Sequence, residues 1–152
     1  MSNAADRLSL ARWEADRHVA ALDQARAEWR ALPAPTWQDI EQDDQLRRLT
    51  DQIFFRFMKL QDASGERLIP ATLSELREPF EEWPMRDRLD RLERLGYLDV
   101  ELWLRWREVR NRLAHEYPDA PEMRHAALLS AIAAAGELTD SYRAWKARLP
   151  QA

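Results

Sequence analysis

Three glycines in 152 residues leave this chain few places to turn on a residue free of Cβ, and that scarcity constrains the fold more than any other feature. With Ala, Leu, Arg, Glu and Gln abundant, helix is favoured nearly throughout, and the eight prolines act as punctuation. The length fits a single domain with one core, expected over residues 1–152 with packing from about 5 to 149. Cysteine is absent, which excludes disulfides, thiolate nucleophiles and iron–sulfur or zinc-ribbon sites.

The prolines and caps divide the chain as follows. A first helix is expected from about Ala5 to Leu32, with Leu10, Trp13, Arg17, Ala20 and Ala21 on related faces, closed by Pro33 and Pro35. Ser2, Asn3 and Ala4 before it are given no role. Thr36-Trp37-Gln38-Asp39 has the spacing of a capping box and opens a second helix to about Ala63, striped by Leu46, Leu49, Ile53, Phe57 and Leu60. Gly65 is expected to end it. Ile69-Pro70 then imposes an extended step, and Thr72-Leu73-Ser74-Glu75 caps a short segment interrupted by Pro79 and Pro84. A helix over Met85–Leu95 stops at Gly96, and Asp99 caps the next, which Pro118 limits. Asp119 is expected to cap the last helix, with Pro121 in its first turn and Ala127, Leu128, Ala131, Ile132, Ala135 and Leu138 on its apolar face. Four long helices and a short one predict an all-α fold, an antiparallel four-helix up-and-down bundle with an additional short helix.

Charge and hydropathy narrow the partners. The formal net charge is −4, so any affinity for nucleic acid has to be local. Two of the 23 cations are lysines, Lys59 and Lys146, leaving 21 arginines, the side chain suited to bidentate phosphate contacts. A GC-rich coding sequence explains most of them. The longest nearly apolar run, Ala126 to Ala135, is too short for a membrane span, and the N-terminus lacks a secretory pattern, so a soluble protein of the cytoplasm with no membrane partner is expected. Asp39, Glu41, Asp43 and Asp44 read as favourable charge at a helix N-terminus, and His18 and His125 lack a metal-ligand partner at useful spacing, so no metal or cofactor is expected.

The helix that Asp99 opens carries the residues of interest. On a helical wheel Leu102, Trp106, Val109 and Leu113 form its core seam, with Trp103, Arg110 and Tyr117 on the flank. Asn111 and His115 share a face with Leu104 and Glu108 nearly opposite the seam. Arg110 and His115 are about 140° apart on a continuous helix and so do not point at one atom. The long arginine can swing, the helix can loosen before Pro118, or a second copy of the helix can complete a cleft. Read singly, His115 is a helix-end imidazole, Arg110 a salt-bridge partner, Asn111 a helix-end polar group, and Tyr117 a ring packed on Trp103 or Trp106. Arg56 and Lys59 either line a cleft with these residues or belong to a solvated face.

The octapeptide Arg110-Asn111-Arg112-Leu113-Ala114-His115-Glu116-Tyr117 has the pattern R-x-x-x-x-H-x-Y. It resembles the signature of the HEPN superfamily, specifically of the HepT-like toxins paired with minimal nucleotidyltransferase antitoxins. Phe54 to Asp62 with Gly65 and Pro70 resembles the second-helix block of these proteins, and Asp99 to Arg107 the lead-in to their motif. The likeness spans roughly Gln45 to Asp119.

The resemblance implies a helical bundle that dimerises with its motif helices side by side and cleaves RNA without a metal. Such cleavage takes a proton from a ribose 2′-hydroxyl, gives one to the departing 5′-oxygen and stabilises charge on phosphorus. His115 would be general acid or base, Arg110 the phosphate ligand, and Asn111 a hydrogen-bond donor to phosphate or an orienter of His115. Tyr117 would accept adenylyl groups from ATP through the partner nucleotidyltransferase, placing charge and bulk beside the site. The chain lacks a G-S-x-D nucleotidyltransferase signature and so would be that enzyme's substrate. The alternative is a non-catalytic helical module that binds a nucleotide or the nucleotidyltransferase itself.

Overall fold

A computed structural model describes residues 3–115 and 117–150; Glu116 of the octapeptide and Ser2 lie outside the described residues. The chain is all-helical, with no strand among the described residues. Its helices are α1 (Ala4–Arg30), α2 (Trp37–Gln42), α3 (Asp44–Ala63), α4 (Ile69–Glu75), α5 (Met85–Arg94), α6 (Val100–Leu113) and α7 (Pro121–Arg148), with a π turn at Ser64–Leu68 joining α3 to α4. Where one additional short helix was expected, α2, α4 and α5 are all short. None of these helices is long and apolar enough to cross a membrane.

Asn3, given no role by the sequence, caps α1: its side chain accepts from the Asp6 N–H while the Asp6 carboxylate receives its own. The buried seam of α1 is Leu8, Ala11, Ala15, Val19, Leu22, Ala25 and Trp29, at three- and four-residue spacing. Leu10 and Trp13, placed by the sequence on related faces with Arg17, Ala20 and Ala21, are 62% and 56% exposed, and three alanines carry much of the buried seam instead. The Arg26 guanidinium lies over Gly136 of α7, where an added Cβ would meet it at 2.4 Å.

Thr36 and Asp39 form the expected capping box, yet the helix they open ends at Gln42. Asp43 is extended, and its carboxylate accepts from the Gln45 and Leu46 N–H groups, so a competing local cap breaks the expected single helix in two. Further on the correction runs the other way. Gly65 does not end α3, and Ile69-Pro70 is not extended: Ile69 is helical and its N–H reaches the Ser64 carbonyl. The wider π turn makes room for the ring of Pro70, which would otherwise crowd the preceding turn, and helix continues into α4. Thr72 caps nothing; fully buried, its hydroxyl accepts from Trp145 Nε1 at 3.1 Å and ties α4 to α7.

α5 stops as expected at Gly96 (φ +85°), where the Tyr97 N–H returns to the Leu92 carbonyl and the Gly96 N–H to that of Glu93. α6 is capped by Asp99, whose side chain accepts from the Leu102 N–H at 3.0 Å, while Glu93 accepts from Val100 at 2.7 Å. Its buried seam is Val100, Trp103, Trp106 and Val109, rotated from the expected one so that Leu102 and Leu113 are half-buried. Leu128, Ala131, Ala135 and Leu138 of α7 are buried as expected, joined by Tyr142 and Trp145. Asp119 does not cap α7. Ala120 holds that position without a side-chain bond, and Pro121, which has no N–H to satisfy, occupies the first turn.

Candidate functional site

α6 is held by its core face and its cap, but its last turn projects beyond the buried seam. After Leu113 the helix gives way to a turn at Ala114, and the His115 N–H reaches only three residues back, to the Arg112 carbonyl at 3.1 Å. His115 thereby leaves the helical wheel, the loosening before Pro118 that the sequence allows. It is exposed, as are Asn111 and Arg112. Tyr117 follows with φ +46°, in the left-handed region that residues other than Gly and Asn seldom occupy. Its ring lies 6.0 Å from the His115 ring at 58°, whereas Trp103 and Trp106 are buried in the core.

The strained turn is fastened from outside. Arg124 of α7 donates from Nη1 to the Tyr117 carbonyl at 2.9 Å and from Nη2 to Glu41 of α2 at 2.6 Å. Arg47 of α3 contacts both the Glu41 carbonyl and the Asp44 carboxylate, so α2 is anchored to the start of α3. The acidic stretch that sequence assigns to a helix N-terminus thus divides its work: Asp39 and Asp43 cap, Asp44 and Glu41 hold arginines.

Between these elements lies a groove of ≈ 520 Å³. His115 and Tyr117 form part of its wall, with Trp37 and Phe54 as aromatic surface, Leu113 and Leu128 at its apolar side, and Arg47, Arg124 and His125 as basic groups. The His125 Nδ1 is buried and has no hydrogen-bond partner. An imidazole and a phenol at an open groove beside anchored guanidiniums make a setting for proton transfer and for holding an anion.

Arg110 is elsewhere. Its Nε and Nη2 donate to the two Asp62 carboxylate oxygens of α3 at 3.2 and 3.1 Å, and neither it nor Asn111 belongs to the groove wall. The structure therefore brings His115 and Tyr117 together and holds Arg110 in a bidentate pair, the salt-bridge role that sequence leaves open for it. Both side chains of that pair are about one-third exposed, at 31% and 34%. Sequence reasoning missed Asp62, Glu41, Arg47, Arg124 and the placement of His125. Asp62 stands 48 positions from Arg110 and Glu41 83 from Arg124, so no local signal marks those pairs, whereas Arg47 holds to neighbours in its own stretch, Glu41 and Asp44. Arg56 does not line the groove; it is half-buried with Nη1 3.1 Å from His18 Nδ1, and Lys59 is exposed.

No family model, curated protein or solved structure matches this chain. Its functional reading rests on the residues themselves.

Proposed function

We propose that this chain is the toxin of a toxin–antitoxin pair, a HepT-like member of the HEPN superfamily that cleaves RNA without a metal and works as a homodimer in the cytoplasm. The observation that carries this reading is the R-x-x-x-x-H-x-Y motif at the open end of α6, with His115 released from the helix beside Tyr117. We read the fold as an antiparallel four-helix up-and-down bundle of α1, α3, α6 and α7 with short helices added. The pairing of residues supports that arrangement. Arg26 meets Gly136 while Asp16 meets Lys146, and Asp62 meets Arg110 while Gly65, in the π turn that continues α3, meets Trp103, so in each pair one number rises as the other falls.

In this reading His115 moves the protons and Arg110 binds the scissile phosphate, with Asn111 donating to phosphate or orienting His115. The Asp62 carboxylate occupies the Arg110 fork that phosphate would take. Partly exposed ion pairs of this kind contribute only about 0–1 kcal/mol, so the exchange of one anion for another costs little. Asp62→Asn is expected to tighten RNA binding and to speed cleavage, as measured with a labelled RNA. A second copy of α6 packed against the first would bring its own Arg110 to the same cleft.

Tyr117 is the proposed acceptor of adenylyl groups from a partner nucleotidyltransferase. Added phosphates would sit against Arg124 and His115 and compete with RNA for positive charge. Mass spectrometry after incubation with ATP and a minimal nucleotidyltransferase tests this. A gain of adenylyl mass by the wild type and none by Tyr117→Phe is expected, with loss of RNA cleavage in the modified form. Unchanged mass removes the modification from the account.

One observation favours a second reading. Arg110 is held apart from the groove that contains His115 and Tyr117, and the groove's Trp37 and Phe54 suit a nucleotide base. A non-catalytic module that binds a nucleotide or the nucleotidyltransferase would need no convergence of Arg110 and His115. Fresh, unmodified protein that forms a complex with the nucleotidyltransferase and ATP yet cuts no RNA would favour it.

A further inference from the structure

On the surface where α1 meets α3, outside the groove that His115 and Tyr117 line, Trp13 and Phe55 are 56% and 46% exposed. A single exposed aromatic residue needs no explanation. Here each ring already carries cations: the Arg17 guanidinium lies 4.8 Å from the Trp13 centroid, and Arg56 and Lys59 lie 5.4 and 5.7 Å from that of Phe55.

The cations are gathered, not scattered. Arg56 contacts His18, whose pKa is pushed down by burial and then by the nearby charges of Arg56, Arg17 and Lys59, with Glu14 acting in the opposite sense. Glu14 is itself taken by Arg67 through two hydrogen bonds of 2.6 Å. Three permanent cations therefore surround one imidazole in a chain whose net charge is −4. Phe55 and Asp62 lie two helical turns apart on one side of α3, about 10.5 Å along its axis, so the patch leads toward the Asp62–Arg110 pair.

We propose that this α1/α3 face binds single-stranded RNA, with bases stacked on Trp13 and Phe55 and phosphates met by Arg17 and Lys59. The inference rests on the reading of the chain as an RNA-cleaving protein and names where the strand is held outside the reacting centre. Stacking on a side-chain ring requires an unpaired base, so a duplex, whose base faces are covered, is the poorer ligand. A second copy of this face is also disfavoured, since two-fold pairing would set Arg17, Arg56 and Lys59 against their own counterparts, whereas a polyanion neutralises them.

The test is fluorescence anisotropy with the full chain and a labelled 2′-O-methyl RNA of about 12 unpaired nucleotides, which lacks the hydroxyl needed for cleavage and so reports binding alone. Trp13→Ala and Phe55→Ala are each expected to weaken binding about tenfold. Arg17→Ala and Lys59→Ala are each expected to lower the log–log salt slope by about 0.7. All four sites are on the surface, so circular dichroism should match the wild type, and Arg105→Ala should bind normally. Wild-type affinity in the Trp13 and Phe55 variants overturns the proposal. So does equal affinity for a duplex, or a concentration-dependent dimer that Trp13→Ala dissolves with no RNA bound. Binding through this face without any cleavage of unmodified RNA upholds the surface and removes the nuclease reading. Cleavage by a protein whose patch variants bind normally does the reverse.

Discussion

The two ends of α6 are built on opposite terms. At its start Asp99 and Glu93 satisfy the first N–H groups, Trp103 and Trp106 are buried at 3% and 1% exposure, and Glu137 of α7 accepts from both Arg105 and Trp106. Beyond Val109 the face turns outward: Asn111, Arg112 and His115 are exposed, the helix lapses, and Tyr117 is held left-handed by an arginine from α7. Burial and caps fix where the first end goes. The second end touches the core only through Leu113 and is otherwise held by side-chain pairs, Arg110 with Asp62 and Arg124 with the Tyr117 carbonyl.

That contrast orders the expected effects of mutation. Trp106→Ala removes a fully buried indole and its bond to Glu137, and should cost about 3–5 kcal/mol in denaturant unfolding. A loss under 1 kcal/mol would mean that the start of α6 is not the anchor described. Asp99→Ala deletes the cap and should cost about 1 kcal/mol, with the Glu93 bond to Val100 retained.

A smaller effect comes with acid. Burial disfavours the Glu137 carboxylate, but hydrogen bonds from Arg105 and Trp106 outweigh it and hold the group below the usual carboxylate range. A folded-state pKa below the unfolded one means that this contribution is complete above the ordinary value of 4.5 and is lost as pH falls through the depressed one. The wild type should therefore lose melting temperature below that pH slightly faster than Glu137→Gln, and parallel acid limbs would contradict the clamp. His115→Ala, at the far end of the same helix, should move stability by less than about 0.5 kcal/mol.

Much of the helical layout was legible because its signals are local. Thr36 with Asp39, Asp99, Gly96 and Pro121 each act within one turn of where they stand in sequence. What escaped depends on distant partners or on choices between local ones. Asp43 competes with the helix it interrupts, and Pro70 is tolerated because the backbone widens ahead of it. The α1 seam runs through alanines, which a search for large apolar residues passes over. At the candidate site, the motif and its loosening before Pro118 could be read from spacing. The Asp62 grip on Arg110 joins separate helices and the Arg124 grip on Tyr117 reaches back from α7 to the turn before it, and nothing in the octapeptide encodes either partner.

RNA cleavage by freshly prepared, unmodified wild-type protein and His115→Ala, assayed side by side, tests the central claim most directly. The account predicts that the wild type cuts RNA and that the variant, equally helical and equally stable, does not. A variant that cuts at the wild-type rate would contradict it.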